Sequence, residues 1–228
     1  FAAAGCFGTT AIVALTAQNT LGVAAVQELP TSFVEAQLKA VFDDIGVDAA
    51  KTGMLFSREV IETVADFLSE HRVPLVVDPV MVASSGAKLL EYDAVDTLVR
   101  KIFPLATVVT PNLLEAEALV GASGTRHEIA RRIHDLGAPA VIVTGGHGID
   151  PVDHLFDGQR HVEIEVERHD VAATHGAGCT HSATLAALLA RGESLEDAAR
   201  GAARVASEAV RNGLVEIGAG EGPVNVLA

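Results

Sequence analysis

Short β-branched apolar runs alternate with amphipathic stretches along almost the whole chain, and this alternation restricts the fold more than any other feature. Residues 8–16 read as a buried strand, as do 47–51, the run Leu75-Val76-Val77, 106–110 and 140–143. Between them lie helical patterns. Ser32 and Glu35 have the spacing of a capping box ahead of a stripe formed by Val34, Leu38, Val41, Phe42 and Ile45. Ser57 precedes a second stripe of Val60, Ile61, Val64, Phe67 and Leu68. Further helices are expected over 94–103, 113–120, 127–136, 178–190 and 195–212, with a hairpin at 154–156 and 161–168 turning at Asp157-Gly158. Strands this apolar must be covered on both faces, so the expected architecture is a mostly parallel sheet in a three-layer α/β/α sandwich. With no repeat or linker in view, residues 1–228 are expected to form a single domain.

Charge and composition narrow the partners. Sixteen basic residues against thirty acidic ones give a formal charge of −14, an acidic surface that argues against a nucleic-acid backbone. No apolar run approaches the roughly 18–20 residues of a membrane span. Cys6 and Cys179 cannot build a disulfide framework and no secretory signal is visible, so a cytoplasmic protein acting on small molecules is expected. Cys6, among small residues, reads as a core thiol.

In open parallel sheets ligands bind beyond the carboxyl ends of the strands. Those ends carry polar or glycine-rich segments here: Thr16-Ala17-Gln18-Asn19-Thr20, Lys51-Thr52-Gly53-Met54, Asp78-Pro79-Val80-Met81-Val82, Thr110-Pro111-Asn112-Leu113-Leu114-Glu115 and Thr144-Gly145-Gly146-His147. Gly176-Ala177-Gly178-Cys179 then opens an alanine-rich helix. Its glycines allow a sharp turn, and the helix start offers amides and a positive dipole end to an anion. A cysteine on that first turn is expected to be acidified. An anion cradle beside an activated thiol suits either phosphoryl transfer or acyl chemistry.

These segments, in this order, resemble the hydroxymethylpyrimidine and hydroxymethylpyrimidine-phosphate kinases of thiamin biosynthesis, a branch of the ribokinase-like superfamily. The likeness runs essentially over residues 8–211 and is strongest at 14–20, 51–54, 78–82 and 175–180. It implies phosphorylation of 4-amino-5-hydroxymethyl-2-methylpyrimidine, and in many members of its monophosphate, with ATP and Mg²⁺. It also implies roles for individual residues. Gly176, Ala177, Gly178 and Cys179 would face the transferring phosphoryl group, with Cys179 as the proton acceptor. Gln18 would read the aminopyrimidine edge, while Met54, Val80 and Val82 would wall the ring. Lys51, Thr144, Gly145 and Gly146 would line the nucleotide side, and Asp78, Asn112 and Glu115 would hold the metal. Such relatives are commonly homodimers, and the apolar stripe of the last helix is one surface that could serve.

Two departures stand beside the resemblance. Ala177 replaces the threonine usual in the tetrad, and Gly-Ala-Gly-Cys is also similar to the tetrad of cysteine-type pyridoxal kinases. Relatives also carry an N-terminal strand and a Gly-rich, Asp-containing loop over the substrate, which no residue before Phe1 supplies. Three readings therefore stay open: the kinase, a cysteine hydrolase or acyl transferase using the same thiol, and a non-catalytic binder of pyrimidine or nucleotide.

Overall fold

The structure is a computed structural model, described here for residues 1–81, 90, 92–145 and 151–228. Six strands form the central sheet in the order of the chain: β3 (Ala50–Thr52), β4 (Leu75–Val77), β5 (Val108–Val109), β6 (Val141–Val143), β7 (Val152–Phe156) and β8 (His161–Glu165). The first four are parallel; β7 and β8 run antiparallel and form the expected hairpin edge.

Alternate residues of these strands supply two separate cores, as the two-residue period of a strand demands. Leu75, Val77, Val109, Val141 and Val143 face the first. Against them pack α1 (Thr31–Ala40), α2 (Arg58–Glu70), α3 (Tyr92–Thr97) with its π-helical extension Leu98–Ile102, α4 (Leu113–Val120) and α5 (Arg126–Asp135). Val76, Val108, Ile142, Leu155 and Ile164 face the second, covered by α6 (Ala177–Ala190) and α7 (Leu195–Arg211). The expected three layers are thus present. The whole α2 stripe is buried, and Ser57 caps that helix by accepting from the Val60 amide at 3.3 Å.

Two local expectations are corrected. Residues 8–16 do not form a strand of the main sheet. Their last part enters β1 (Ala14–Asn19), which pairs antiparallel with β2 (Gly22–Glu28) in a separate two-stranded ribbon. The Asn19 side chain turns the ribbon by accepting from the amides of Leu21 and Gly22. Helix α1 begins two residues earlier than the Ser32/Glu35 pattern implies, with Pro30 at the cap and no side-chain capping bond. Proline presets the helical approach without a donor to satisfy, so Ser32 falls inside the first turn. In α7, Ala198, Ala199, Ala202 and Ala203 are buried in the second core, while Val205, Ala206 and Val210 keep partial exposure.

Candidate active site

The parallel strands end level with one another because each end bonds the next. Asp78 N–H donates to the Thr52 carbonyl, Thr110 N–H to that of Val77, and Thr144 N–H to that of Pro111. This ladder gathers Lys51, Asp78, Asn112 and Thr144 along one edge of the sheet.

Helix α6 starts over that edge. Gly176 takes a left-handed conformation at φ 89°, which a residue with a Cβ adopts only under strain, and the helix follows at once. The Ala177 amide is used in a turn to the Thr174 carbonyl. The amides of Gly178 and Cys179 lie in the first turn, where no intrahelical acceptor exists. A Cβ added to Gly178 would meet no atom within 4 Å, so the space there is open to a ligand. Gly178 and Cys179 thus present amides without an intrahelical acceptor at the helix start, whereas that of Ala177 is engaged.

One turn into α6, Ser182 ties the helix to the strand ends. Its hydroxyl is fully buried, accepts from Lys51 Nζ at 2.9 Å and lies 2.8 Å from Asp78 Oδ2, to which it donates. Lys51 Nζ also stands 3.3 Å from the same carboxylate oxygen. Burial of Lys51 and Asp78 is costly unless each charge is matched, and here each is matched by the other and by the hydroxyl. Ser182 had no signal in the sequence beyond its position on the tetrad helix, because its partners lie 131 and 104 residues away.

The electrostatics correct the expectation of an acidified thiol. Cys179 is solvent-accessible, yet the protein crowding its sulfur desolvates it and pushes the thiol above its ordinary value. Lys51 pulls it down, while the charges of Asp78 and Glu115 push it further up. The helix-start argument is local, whereas the two carboxylates arrive from β4 and α4 through the fold. Cys6 is also corrected: half-buried rather than in the core, it rests against α6 with Sγ 3.5 Å from the Ala187 carbonyl.

Asn112 and Glu115 form a complete capping box at the start of α4. Asn112 Oδ1 accepts from the Glu115 amide and Glu115 Oε2 from the Asn112 amide, both at 3.0 Å. Glu115 is nonetheless raised to about 7, by burial first and by the neighbouring Asp78 charge, against the lowering bonds from the Asn112 and Met81 amides. Two carboxylates whose charges oppose one another at a strand-end cleft suit a divalent cation between them. The residues present therefore fit Mg²⁺, with Asp78 and Glu115 as the donors and the Asn112 side chain already engaged as a cap.

At the end of β6, Thr144 bridges to Asn112 and is half-buried. Gly145 is required sterically, because a Cβ there would come 2.2 Å from the Val152 carbonyl oxygen. Its amide is already bonded to Asp153 Oδ1 at 2.7 Å. Asp153 in turn stands 3.2 Å from Nε2 of buried His181, a pair that joins β7 to α6 two residues past Cys179. Val82 and Gly146 lie outside the described residues.

Met54 and Val80 are half-buried just past the ends of β3 and β4. Lys51, Gly53 and Met54 also line a cavity of about 690 Å³ along the free edge of β3. Gln18 is exposed on the ribbon, with no side-chain hydrogen bond among the described residues, so its amide is available to a ligand. The ribbon reaches the tetrad indirectly. Thr20 Oγ1 accepts from Gly220 N–H, and shortly after it Gly222 and Val224 bond the backbone of His175, next to Gly176.

An α/β/α fold whose strand-end cleft sets an anion-binding helix start against a buried lysine–carboxylate network defines a phosphotransferase of the ribokinase-like class. Residues 1–225 match the phosphomethylpyrimidine kinase family, and the chain belongs to it. It is 47% identical over 229 residues to the thiamine biosynthesis bifunctional protein ThiED of Geobacter sulfurreducens, a match covering 97% of this chain and 46% of that protein. The hydroxymethylpyrimidine/phosphomethylpyrimidine kinase of Haemophilus influenzae is 43% identical over 233 residues, covering 97% of this chain and 86% of that one. Among solved structures, an ADP complex of Bacillus subtilis pyridoxal kinase superposes with a TM-score of 0.89 at 35% identity, over 98% of this chain and 88% of that chain. The chain thus spans under half of the bifunctional relative and most of the other two.

Proposed function

We propose that this chain, as a single domain, transfers the terminal phosphoryl group of ATP to the hydroxymethyl group of 4-amino-5-hydroxymethyl-2-methylpyrimidine, and a second one to the resulting phosphate. The observation that carries this reading is the Ser182 tie, which holds the Gly178–Cys179 helix start over Lys51 and Asp78. The charged groups that bear on the Cys179 thiol, Lys51, Asp78 and Glu115, are a set suited to a phosphate and a divalent cation, which acyl chemistry on the same thiol would leave without a use.

In the first transfer the hydroxyl oxygen bonds to the γ-phosphorus as the bond to the β-phosphate oxygen breaks, and ADP leaves. The Gly178 and Cys179 amides donate to the oxygens where charge builds. The hydroxyl proton passes to Cys179 Sγ, which must first have lost its own proton. Lys51 is the group that favours that loss. Mg²⁺ bound by Asp78 and Glu115 would supply charge neutralisation to the triphosphate and to the two carboxylates that hold the thiol up. Gln18 offers a donor and an acceptor to the aminopyrimidine edge, and Met54 and Val80 would wall the ring. Lys51, Thr144 and Gly145 would lie on the side of the nucleotide phosphates.

The second transfer differs in chemistry. A phosphate monoester has a second pKa of about 6 and is largely a dianion at neutral pH, so its attacking oxygen carries no proton to remove. Cys179 then serves only through its backbone amide.

The protein would work in the cytoplasm, where two free thiols stay reduced, on small molecules and not on nucleic acid or membrane. A homodimer would use the exposed apolar side chains of the ribbon, Leu15 and Leu21. The reading is tested by ADP release with ATP and Mg²⁺ against three acceptors: hydroxymethylpyrimidine, its monophosphate and pyridoxal. Turnover on both pyrimidines is expected. Preference for pyridoxal would reassign the substrate, and silence on all three would overturn the kinase.

A further inference from the structure

Far from the tetrad in the chain, three histidines from three elements converge on one point. His127 comes from the first turn of α5, His154 from β7 and His161 from β8. One ring nitrogen from each lies within 4.8 Å of the other two. His154 Nε2 and His161 Nδ1 are 2.7 Å apart, and the His127 ring stacks on His161 with centroids 4.2 Å apart. In the hairpin register Glu163 stands directly opposite His154, and its Oε1 lies 3.7 Å from His127 Nε2.

We propose that His127, His154 and His161, with Glu163 as a fourth donor, form a binding site for a borderline divalent transition-metal cation such as Zn²⁺. Imidazole nitrogens with one carboxylate are the donor set such ions prefer, and four donors complete a tetrahedron. Metal–nitrogen bonds of about 2.0–2.1 Å place tetrahedral donors ~3.3 Å apart, so modest ring rotations convert the stacked cluster into a coordination sphere. Access is graded: His127 is exposed, His161 half-buried and His154 buried, so an ion can enter from solvent and meet a rigid base. Phe156 stacks against His161 at 4.4 Å and fixes that ring's plane.

The surrounding charges set how tightly the ion binds. Arg126 and Arg131 bear on His154 and His161 and oppose a cation, while Asp157 and Glu163 favour one. A bound ion would fasten the start of α5 to the β7–β8 hairpin. The residue before His154, Asp153, holds the Gly145 amide on the strand's other face, so the ion would also brace the strand behind the nucleotide side of the cleft.

The test uses the full chain, stripped by a chelator and then titrated with Zn²⁺ by calorimetry and with Co²⁺ by visible absorption, in parallel with His127→Gln, His161→Gln and Cys179→Ala. His127 is exposed and His161 half-buried, and the circular dichroism of each variant shows whether it folds. Expected are one ion per chain at micromolar Zn²⁺ or below, a tetrahedral Co²⁺ spectrum without a thiolate band, and a melting temperature raised by Zn²⁺. Each histidine substitution should weaken binding about 100-fold or more and abolish the thermal shift, and Cys179→Ala should leave both unchanged. Absence of binding at millimolar Zn²⁺ would overturn the site, as would equal affinity in the folded histidine variants.

Discussion

Ser182 donates to Asp78 at 2.8 Å across 104 positions of sequence, and the same hydroxyl accepts from Lys51 at 2.9 Å. This buried oxygen joins the tetrad helix to the strand ends, beside the packing of Leu185 and Ala186 in the second core. Ser182→Ala removes it and leaves Lys51 and Asp78 facing each other at 3.3 Å with one partner fewer each. Unfolding in urea should show a loss of about 1–3 kcal/mol, the penalty of under-satisfied buried groups. Turnover should fall by about tenfold or more, because the amides of Gly178 and Cys179 lose their register.

The Cys179 thiol is held up by desolvation and by two carboxylates, with Lys51 opposing them. Alkylation by iodoacetamide, followed on the Cys179 peptide, should therefore inflect above the ordinary thiol value of 9.0. Asp78→Asn and Glu115→Gln each remove a nearby negative charge and should move the inflection down. Lys51→Met removes the opposing charge and should move it up. An inflection below the ordinary value would restore the helix-start expectation.

Glu115 keeps its proton up to about 7 in the folded chain, against 4.5 in the unfolded one. The folded state binds that proton more tightly, so this contribution favours folding below about pH 4.5 and is lost as pH rises through about 7. Across that window it amounts to about 3 kcal/mol. Glu115→Gln can keep the capping bond and cannot titrate. Its stability relative to the native chain should therefore rise with pH across the window, which denaturant unfolding at a series of pH values would show. A flat difference would mean that the carboxylate is not buried in this way.

Asn112 separates capping from ligand binding. Asn112→Ala should cost about 1 kcal/mol of stability, as loss of a helix cap does, while Asn112→Ser should restore most of it. If the side chain only caps, the serine variant also restores turnover. Turnover that stays low with stability restored would assign Asn112 a direct role toward metal or phosphate.

How far the sequence alone leads depends on the range of the interactions involved. Leu75-Val76-Val77, the α2 stripe and the α4 start at Asn112 were readable because periodicity and capping are settled within a few residues. Residues 8–16 misled because an apolar β-branched run has the same composition in a core strand and in a ribbon. Asn19 and Gly22, which turn that ribbon, were the available signal. The tetrad was legible as a helix start, since Gly176 and the alanine-rich run are local. The charge state of its cysteine was not, because it depends on Lys51, Asp78 and Glu115, brought in from separate strands and a helix. Ser182 and the cluster of His127, His154 and His161 were invisible for the same reason.

The central claim is that Cys179 removes a proton in the first phosphoryl transfer and has none to remove in the second. Steady-state turnover of Cys179→Ala against the native chain, with hydroxymethylpyrimidine and separately with its monophosphate, tests it most directly. The account predicts a fall of about 10²–10⁴ in kcat on the alcohol and a much smaller fall on the phosphate. Full turnover of the variant on the alcohol, or equal losses on both acceptors, would contradict it.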